Sequence, residues 1–437
     1  MQNDKIVVGL DIGTTKICAI VGRKNEYGKL EILGMGKAVS EGVMRGVVVN
    51  IDKTVEAIRE AIRQAEEDAG VGIGVVNVGI AGQHIKSSMH HGSIIRNAAH
   101  EEIGVNDINR LTSDMYKIVT PPGSKILHVV PQDFTVDYEE NIKDPVGMLG
   151  SRLEADFHII TAQTNAIGNI KKCVERAGLD VAELILEPIA SSMAVLDEEE
   201  KEAGVCLVDI GGGTTDIAII QEGIIRHTAV IPLGGNIITT DIKEGCGVMT
   251  QQAEKLKVKF GEALSEFANS NDIISIPGLR NRPPKEISLR NLANIIEARM
   301  EEIMVLVHKE IINSGYAKKL AGGIVLTGGG SQLQHLKQLT EYMTGLDVRV
   351  GYPNEHLGKS KNEDVKSPMY ATSVGLVLAG FSAFDDRENR YAEKAQSQSQ
   401  VKNVTKETKL SGKGFFSSLM SQTKKILLDD YEEKSDY

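Results

Sequence analysis

The sequence predicts an α/β fold made of two related domains that face one another across a cleft. The first observation is a pair of acidic glycine turns, at residues 11–16 and 209–216, which share Asp-Ile-Gly followed by Thr-Thr. The second is the short apolar run before each turn, which is typical of a buried strand. The third is the length of 437 residues, which exceeds what one hydrophobic core usually holds. Strands that alternate with longer helical patterns then indicate α/β architecture.

The two glycine turns have the chemistry of a phosphate site. Asp is uncommon inside a sheet, so Asp11 and Asp209, each at the end of a buried strand, are expected to face the crevice where ligands of such sheets bind. The glycines let the backbone approach a phosphate, and backbone N–H groups and Thr hydroxyls can donate hydrogen bonds to it. One such turn is weak evidence, because most Asp-Gly pairs are hairpin turns, whereas two copies predict a duplicated domain. A Walker-type loop is absent from the sequence, and no Gly-x-Gly-x-x-Gly pattern follows the first strand.

At these residues the chain resembles the actin, heat-shock-chaperone and sugar-kinase superfamily of nucleotide-binding proteins. The resemblance implies an actin-like fold in which each of the two domains carries an inserted subdomain, and it implies ATP and Mg²⁺ as ligands. The two turns would hold the β- and γ-phosphates from opposite sides, and Asp11 and Asp209 would hold Mg²⁺ largely through waters. The phosphate-binding residues implied in this way are Gly13, Thr14, Thr15, Lys16, Gly211, Gly212, Gly213, Thr214 and Thr215, with the tight turn of Gly234 and Gly235 beside them.

Three further segments extend the resemblance. Residues 253–257 resemble the Glu-x-x-Lys of the superfamily, in which Glu254 and Lys257 would reach the ribose. Residues 186–192 resemble its connecting helix, in which Glu187 would position the attacking water. Glu187 also precedes a proline and can equally be a helix-start residue, so slow ATP hydrolysis and ATP binding without turnover both remain open. The third glycine turn would lie against the adenosine through Gly328, Gly329, Gly330 and Ser331.

The composition limits the classes of function. A formal net charge of −11 argues against nonspecific nucleic-acid binding, which needs a clustered cationic surface. A strand pattern begins at once, without the charged and apolar regions of a signal peptide, so we expect no secretion signal. The sequence also contains no run of about 18 apolar residues, the length needed to span a bilayer. We therefore expect a cytosolic protein. The cysteines have neither metal-ligand nor disulfide-framework spacing, so we expect buried, reduced side chains at Cys18, Cys173, Cys206 and Cys246.

The chain divides where its composition changes. Amphipathic spacing closed by Gly70 predicts a helix over 51–70, and an apolar run predicts a strand over 75–80. Prolines and histidines from about 83 to 161 indicate a subdomain inserted into the first domain, and helical patterns at 251–260 and 288–312 indicate a second insert. The first predicted phosphate-binding domain comprises residues 1–83 and 162–203, with its insert at 84–161. The second comprises residues 204–238 with its insert at 239–313, and residues 314–384 continue the second domain and return to the first. The tail comprises a flexible linker at 385–412, an amphipathic membrane helix at 413–428 and an acidic tail at 429–437.

The histidines of the first insert do not predict a metal site. They lack the short, fixed spacing to a carboxylate or a cysteine that such sites use. Two of them are adjacent and would point to opposite faces of a strand. We expect surface or partly packed side chains at His84, His90, His91, His100 and His128.

The C-terminal tail has two parts. Residues 385–410 have few apolar side chains and predict a coil. Residues 414–428 form an amphipathic helical pattern, and six Lys with one Glu in 398–428 give a local charge of +5 on an acidic protein. Apolar insertion with basic flanks is typical of a helix in an anionic membrane surface, while docking on a partner or on the folded body are the alternatives. The predicted membrane-facing residues are Phe415, Phe416, Leu419, Met420, Ile426 and Leu427, with Lys424 and Lys425 as basic neighbours.

The tethered helix together with the first insert resembles the FtsA family, actin-like proteins that tie the bacterial cell-division ring to the inner face of the cell membrane. The resemblance implies four partners: the C-terminal peptide of the tubulin-like FtsZ, further copies of the chain in a polymer, later division proteins, and the membrane. The FtsZ peptide would dock on the second insert, where Arg290 and Arg299 are candidates; without the resemblance they belong to a solvated basic helix face. Alternative functions are a sugar-kinase-like phosphotransferase, which would need a further general base, and a pilus-type assembly factor.

Overall fold

The computed structural model describes the backbone of residues 5–96, 100–278, 283–354, 356–358, 360 and 362–400, with side chains as far as residue 385. The first elements are β1 (Ile6–Ile12), β2 (Lys16–Lys24), β3 (Leu30–Val39), β4 (Val43–Met44), β5 (Val47–Val48), α1 (Ile51–Ala69) and β6 (Val75–Ile80). The side chain of Asn50 caps α1 by accepting from the Lys53 amide, and Gly70 ends it in the left-handed conformation that favours glycine. The predicted helix over 51–70 and the predicted strand over 75–80 are confirmed.

A subdomain with its own hydrophobic core follows β6. It contains β7 (Ile85–Ile95), α2 (Val105–Met115), β8 (Ser124–Val136), β9 (Glu139–Ile142) and β10 (Arg152–Gln163). The strands form one antiparallel sheet of order β7-β10-β8-β9. Leu111 of α2 packs in one core with Phe134 and Phe157 of the sheet. We call this subdomain the first insert.

The chain then returns to the first domain. The returning elements are α3 (Thr164–Arg176), β11 (Asp180–Leu186), α4 (Glu187–Val195) and α5 (Glu198–Ala203). β11 lies parallel to β6 and completes a five-stranded sheet of order β3-β2-β1-β6-β11. Ile58 of α1 and Ile170 of α3 share a core with Leu10 of β1, so both helices bury their apolar sides with this sheet.

The second domain repeats this plan. Its elements are β12 (Val205–Ile210), β13 (Thr215–Gln221), β14 (Ile224–Ile231), α6 (Gly235–Cys246), α7 (Thr250–Phe260), β15 (Ile273–Ile276), β16 (Lys285–Ser288), α8 (Leu289–Asn313), β17 (Ile324–Thr327), α9 (Leu336–Thr344) and β18 (Val348–Val350). The sheet order is β14-β13-β12-β17-β18.

The two five-stranded sheets correspond strand for strand. In each, an antiparallel meander of three strands is extended on one side by two parallel strands. The acidic glycine turn joins the first two strands of each meander, so that Asp11 pairs with Cys18 and Asp209 pairs with Asp216. The predicted duplicated α/β fold is confirmed.

The last described element, α10 (Ala371–Gln400), returns to the first domain and packs on α4 and β1. A Cβ on Gly375 would lie 1.8 Å from the backbone oxygen of Ala190 in α4. The two helices therefore cross so closely that glycine is required at residue 375.

The structure corrects the predicted flexible linker, because α10 continues through Gln400. Most of residues 385–400 are Ala, Arg, Glu, Lys and Gln, which have high helix propensity. A helix that is already formed can extend through such residues, since propagation costs far less than nucleation. The remainder of the linker, the predicted membrane helix and the acidic tail lie outside the described residues. None of the helices described combines the length and the hydropathy needed to cross a membrane.

A buried polar cluster joins the first insert to the second domain. We call it the Arg226 cluster; its members are Gln132, Asp133, His158, Glu222, Arg226 and Thr228. The Arg226 side chain is 3% exposed and donates to both carboxylate oxygens of Asp133, at 2.9 and 3.2 Å, and to Glu222 at 3.2 Å. Gln132 donates to the Ile225 carbonyl at 3.0 Å, and His158 shares a hydrogen bond of 3.1 Å with the Thr228 hydroxyl. One buried cation is thus matched by two carboxylates, as a buried charge requires.

Candidate functional site

The two predicted phosphate turns meet at the base of the cleft between the domains. A Cβ on Gly212 would lie 2.3 Å from the Thr15 side chain, and a Cβ on Gly213 would lie 2.5 Å from the Thr14 hydroxyl. The Thr14 hydroxyl also accepts a hydrogen bond from the Gly46 amide at 3.3 Å. Any side chain at either glycine would force the turns apart, so these glycines allow the two domains to approach at this point.

Asp11 and Asp209 are buried where β1 and β12 end. The Ser373 hydroxyl donates to Asp11 at 3.1 Å, and the hydroxyls of Ser191 and Thr372 donate to Asp209 at 2.7 and 3.2 Å. Burial raises the pKa of both carboxyl groups, and Lys16 and the hydroxyl donors offset only part of that rise. Both aspartates are therefore held in place by hydrogen bonds but lack enough positive charge nearby.

Two more carboxyl groups interact with this pair. Burial and the charge of Asp209 raise the pKa of Asp216 to about 7. A hydrogen bond of 2.8 Å from Thr214 lowers this pKa but does not cancel the rise. The other carboxyl oxygen of Asp216 is buried and has no hydrogen-bond partner among the described residues. Burial and the charges of Asp11, Asp216 and Asp209 raise the pKa of Glu187 well above its usual range. We call Asp11, Glu187, Asp209 and Asp216 the acidic cluster.

The charge balance of the acidic cluster suits a bound cation. Lys16 opposes the pKa shifts of Asp11, Glu187 and Asp209, while its amino group also donates to the Met369 carbonyl at 2.8 Å. In the described part of the chain, no three His, Cys, Asp or Glu side chains stand ready to hold a metal ion directly. Carboxylates that reach a cation through retained waters are the arrangement that Mg²⁺ prefers, and the orphaned oxygen of Asp216 adds an acceptor. The residues present fit such an ion.

The tight turn of Gly234 and Gly235 starts α6 directly beside the second glycine turn. The amides of Gly235 and Asn236 donate to the carbonyls of Gly211 and Gly212 at 2.9 and 2.8 Å. A Cβ on Gly234 would lie 2.6 Å from the Gly211 carbonyl oxygen. The positive end of the α6 dipole therefore lies beside the turn, where it favours an anion.

Glu254 and Lys257 of α7 contact the start of α6. The Lys257 amino group donates to the Gly235 carbonyl at 2.9 Å and to the Thr239 hydroxyl at 2.8 Å, and it pairs with Glu254 at 2.8 Å. Thr239 also donates to Glu254 at 2.5 Å. The two predicted ribose-contacting side chains thus form one polar wall with the first turn of α6.

The third glycine turn lies against the acidic end of β12. Gly328 adopts a φ of 79°, and a Cβ there would lie 2.3 Å from a carboxylate oxygen of Asp209. A Cβ on Gly330 would lie 2.3 Å from the Ile210 side chain, and the Ser331 hydroxyl donates to the Gly328 carbonyl at 2.8 Å. The structure brings this turn to the same cleft as the two predicted phosphate turns.

Four residues of the cleft were not assigned from the sequence: Asp216, Ser191, Thr372 and Ser373. Asp216 lies within the second glycine turn, but its partner Asp11–Lys16 turn has no equivalent acid, so the duplication did not point to it. The other three lie in a weak repeat, Ala-Ser-Ser at 190–192 and Ala-Thr-Ser at 371–373. Ser191 and Thr372 also contact one another at 2.9 Å, at the crossing of α4 and α10. This repeat is the signal that could have identified them.

The candidate partner residues Arg290 and Arg299 lie on α8, in the second insert. Arg299 makes two hydrogen bonds to Asp241 of α6, at 2.6 and 3.1 Å, and a further ion pair with Glu302. Arg290 lies in the first turn of α8 and is exposed. Arg299 therefore ties α8 to α6, and Arg290 is the more available of the two.

The cysteine prediction is confirmed, since all four are buried and free. The histidine prediction is wrong for His84 and His128, which are buried, whereas His90, His91 and His100 are exposed. The reason is that the root of the first insert packs against the rest of the protein. His128, for example, accepts a hydrogen bond from the Leu186 amide at 3.2 Å, and burial lowers its pKa to about 4.

Comparisons with known proteins identify the family. A family model described as cell division protein FtsA matches residues 206–375, and one described as the SHS2 domain inserted in FtsA matches residues 82–161. The cell division protein FtsA of Pseudomonas aeruginosa is 44% identical over 387 residues, which cover 88% of this chain and 92% of that protein. The chain belongs to the FtsA family of cell division proteins. Its FtsA relative in Escherichia coli K12 is 38% identical, with 86% of this chain and 90% of that protein covered.

Solved structures agree on the fold of this FtsA family member. The PilM–PilN type IV pilus biogenesis complex matches with a TM-score of 0.62 at 16% identity, covering 86% of this chain and 98% of that one. MreB5 of Spiroplasma citri bound to ADP matches with a TM-score of 0.51 at 15% identity, covering 89% and 98%. A family model described as Hsp70 protein matches residues 164–230. The fold is actin-like.

Proposed function

We propose that the protein is an ATP-binding, actin-like scaffold that assembles with copies of itself and ties the FtsZ ring to the inner face of the cell membrane. The observation that carries the nucleotide part is the acidic cluster between two facing glycine turns. Four buried carboxyl groups with raised pKa values need a cation, and glycine turns beside a helix N-terminus suit phosphates. ATP with Mg²⁺ supplies both.

Each part of the cleft has a role in this proposal. The amides and hydroxyls of the two phosphate turns would bind the β- and γ-phosphates, and Asp11 and Asp209 would hold Mg²⁺. Glu254 and Lys257 would contact the ribose, and the turn at 328–331 would contact the adenosine. The Mg²⁺ ion would supply positive charge to the acidic cluster, and the phosphates, held by both glycine turns, would join the two domains across the cleft. Closure of the cleft is the step that would expose or align surfaces for assembly.

Glu187 is the candidate for positioning a water molecule. In the ligand-free protein its raised pKa favours the protonated carboxyl, which is a poor proton acceptor. A nearby divalent cation would lower that pKa and restore the carboxylate. Any hydrolysis would then depend on the loaded cleft, which is consistent with a slow ATPase or with binding alone.

Thermal unfolding with and without Mg²⁺·ATP tests the nucleotide site. A ligand at about a hundred times its Kd stabilises the folded state by about 2.7 kcal/mol, so the unfolding temperature of the full chain should rise. Asp209→Asn should abolish most of this rise. Asp156→Asn, an exposed carboxyl on the first insert, is the matched control and should keep it. Equal stabilisation of Asp209→Asn and the unchanged chain would contradict the proposal.

The membrane part rests on the sequence of residues 413–428, which lie outside the described residues. Flotation with anionic liposomes in the presence of ATP should recover the full chain but not a chain that ends at Lys409. Replacing Phe415 and Phe416 with Glu should also release the protein, because the insertion of apolar side chains drives such binding. Replacing Ser417 and Ser418 with Glu adds the same charge on the polar side of the helix. This variant should release less protein from the liposomes than the replacement of Phe415 and Phe416. If the truncated chain floats as well as the full chain, the tail is not the anchor.

The FtsZ part is tested at α8. Arg290 is exposed, whereas Arg299 is engaged by Asp241, so Arg290→Glu should weaken binding of the FtsZ C-terminal peptide in a fluorescence-anisotropy titration. Lys309→Glu makes the same charge change elsewhere on α8 and should have a smaller effect. If the two changes weaken peptide binding equally, the peptide responds to the overall charge of α8 and does not contact Arg290 specifically.

A further inference from the structure

Three buried hydroxyl groups contact the aspartates of the acidic cluster from the place where α4 and α10 cross. We call Ser191, Thr372 and Ser373 the crossing hydroxyls. None of these three residues is more than 9% exposed. Among the described residues, the hydrogen bonds of their hydroxyls go only to the aspartates and to one another. Packing alone does not require hydroxyl groups at these positions, so their contacts with the aspartates need an explanation.

At Asp209 the crossing hydroxyls engage one carboxyl oxygen and leave the other. Ser191 and Thr372 both donate to Oδ2, at 2.7 and 3.2 Å, and lie 2.9 Å from one another. Because a hydroxyl has a single hydrogen, that of Thr372 is shared between Oδ2 and Ser191. Oδ1 accepts no hydrogen bond from the described residues and faces the third glycine turn, where a Cβ on Gly328 would lie 2.3 Å from it. Asp209 thus directs one oxygen to the cleft in a fixed orientation.

Asp11 is held in the same way by the next residue of α10. Ser373 donates to its Oδ2 at 3.1 Å, and its Oδ1 lies 3.5 Å from where a Cβ on Gly13 of the first glycine turn would be. Asp11 belongs to the first domain and Asp209 to the second. Their donors Thr372 and Ser373 are nevertheless consecutive residues of one helix. A single turn of α10 therefore sets the spacing of the two carboxyl groups across the cleft.

The backbone that carries the crossing hydroxyls has little room to move. A Cβ on Gly375 would lie 1.8 Å from the Ala190 carbonyl oxygen, so α10 and α4 touch through their backbones. A Cβ on Gly9 of β1 would lie 2.8 Å from the Ser373 carbonyl oxygen. α10 cannot move closer to either element without a clash. The orientation and the spacing of the two aspartates are both fixed as a result.

We propose that the crossing hydroxyls are positioning residues that give the cation site of the acidic cluster its preference for Mg²⁺ over Ca²⁺. The inference rests on the proposed nucleotide site. Ca²⁺ takes about six to eight oxygens in flexible geometry and accepts both oxygens of one carboxylate, whereas Mg²⁺ is smaller and keeps several waters. A carboxyl group with one oxygen engaged by a hydroxyl cannot turn to offer both. A spacing fixed by α10 likewise cannot widen for the larger ion.

Isothermal titration calorimetry of the full chain with a non-hydrolysable ATP analogue tests this preference. The analogue is loaded with Mg²⁺ or with Ca²⁺, and the ratio of the two Kd values is compared between variants. In the double variant Ser191→Ala, Thr372→Val the preference for Mg²⁺ should fall about tenfold, the low end for the loss of a group that orients a metal ligand. A general structural defect would weaken the binding of both complexes alike and leave the ratio unchanged.

Two single variants separate the hydroxyls from packing, and a third is a matched control. Thr372→Ser keeps the hydroxyl and should keep the preference, whereas Thr372→Val keeps the side-chain volume and should lose part of it. Ser192 is the next residue of α4, is buried, and donates to the Ile189 carbonyl at 2.7 Å. Ser192→Ala therefore removes a buried hydroxyl from the same helix but should leave the preference unchanged.

The outcomes distinguish this inference from the proposed function. If the unchanged chain binds neither complex, the nucleotide site itself is wrong and the inference fails with it. If the unchanged chain prefers the Mg²⁺ complex and the double variant keeps the same ratio, only the role of the crossing hydroxyls is overturned. That role is also overturned if the unchanged chain binds both complexes equally, if Ser192→Ala lowers the ratio as much as the double variant, or if Thr372→Ser lowers it as much as Thr372→Val.

Discussion

The acidic cluster and the Arg226 cluster are both buried, polar and located between domains, but their charges are balanced in opposite ways. In the Arg226 cluster one guanidinium is matched by Asp133 and Glu222. In the acidic cluster four carboxyl groups gather near Lys16, and their pKa values are raised because the charged forms are poorly compensated. In the Arg226 cluster the charges are matched within the chain, although Nε of Arg226 has no hydrogen-bond partner among the described residues. In the acidic cluster the described residues leave the carboxyl groups short of positive charge.

This difference separates a structural cluster from a functional one. A matched buried pair holds two parts of a fold in register, and removing one partner leaves an uncompensated charge. Carboxyl groups with strongly raised pKa values cost folding free energy at neutral pH, and such groups concentrate at functional sites. Mutations should therefore have opposite effects on stability in the two clusters, which gives the following tests.

The largest expected effect is that of Arg226→Met. The change removes the buried cation, keeps most of the side-chain length, and leaves Asp133 and Glu222 without it. Because both carboxylates are about one-third exposed, we expect the free energy of unfolding to fall by about 3 kcal/mol, at the low end for a broken buried pair. Urea titration followed by circular dichroism measures it. A loss below about 1 kcal/mol is the range of exposed ion pairs, and it would show that the Arg226 cluster contributes no more to stability than a pair on the surface.

Asp216→Asn should increase the free energy of unfolding, whereas Arg226→Met decreases it. The pKa of Asp216 is about 7 in the folded protein and near its ordinary value of 3.8 in the unfolded chain, so stability falls as pH rises from about 4 to 7. At pH 8 and without nucleotide, the variant should be more stable by about 2 kcal/mol, below the upper limit of about 4 kcal/mol that the full shift implies. At pH 4 the two proteins should be equally stable. A variant that is less stable at pH 8 would refute the account of the acidic cluster.

Replacing His158 of the Arg226 cluster should have a smaller effect on stability, and this effect should appear as the pH falls. Burial, with the nearby His227, lowers the pKa of His158 to about 4 in the folded protein. Between pH 6.5 and 4 the unfolded chain binds a proton there and the folded protein does not, so stability falls as pH falls. In His158→Gln the fall between pH 6.5 and 4.5 should be smaller by about 1.5 kcal/mol than in the unchanged chain. Parallel profiles for the two proteins would contradict this.

The smallest effect is expected at the rim of the same interface. Lys143 pairs with Glu222 at 3.4 Å, but its side chain is 57% exposed. Lys143→Met should change the free energy of unfolding by less than about 0.5 kcal/mol in the same urea titration, because hydrated ion pairs contribute little. A loss comparable with that of Arg226→Met would show that the number of ion pairs, and not their burial, stabilises the interface.

Much of the fold could be predicted locally. Residues close together in the sequence predict the helix α1 with both of its ends, the strand β6 and the paired glycine turns. The low hydrophobicity of residues 385–400 predicts a coil, but α10 extends to Gln400 because these residues propagate a helix well. The local sequence does not predict the burial of His84 and His128, because burial depends on neighbours from distant segments, such as the Leu186 amide at His128.

The sequence by itself determined the duplication, the two acidic glycine turns and the order of the elements around them, because glycine spacing and apolar periodicity act through local backbone geometry. Only the tertiary structure decided which polar residues are buried together. Asp216 interacts with Glu187, Arg226 pairs with Asp133, and His128 accepts from the Leu186 amide, in each case between segments far apart in the chain. Burial and charge balance belong to such contacts, since the environment of a side chain is set by whatever packs around it.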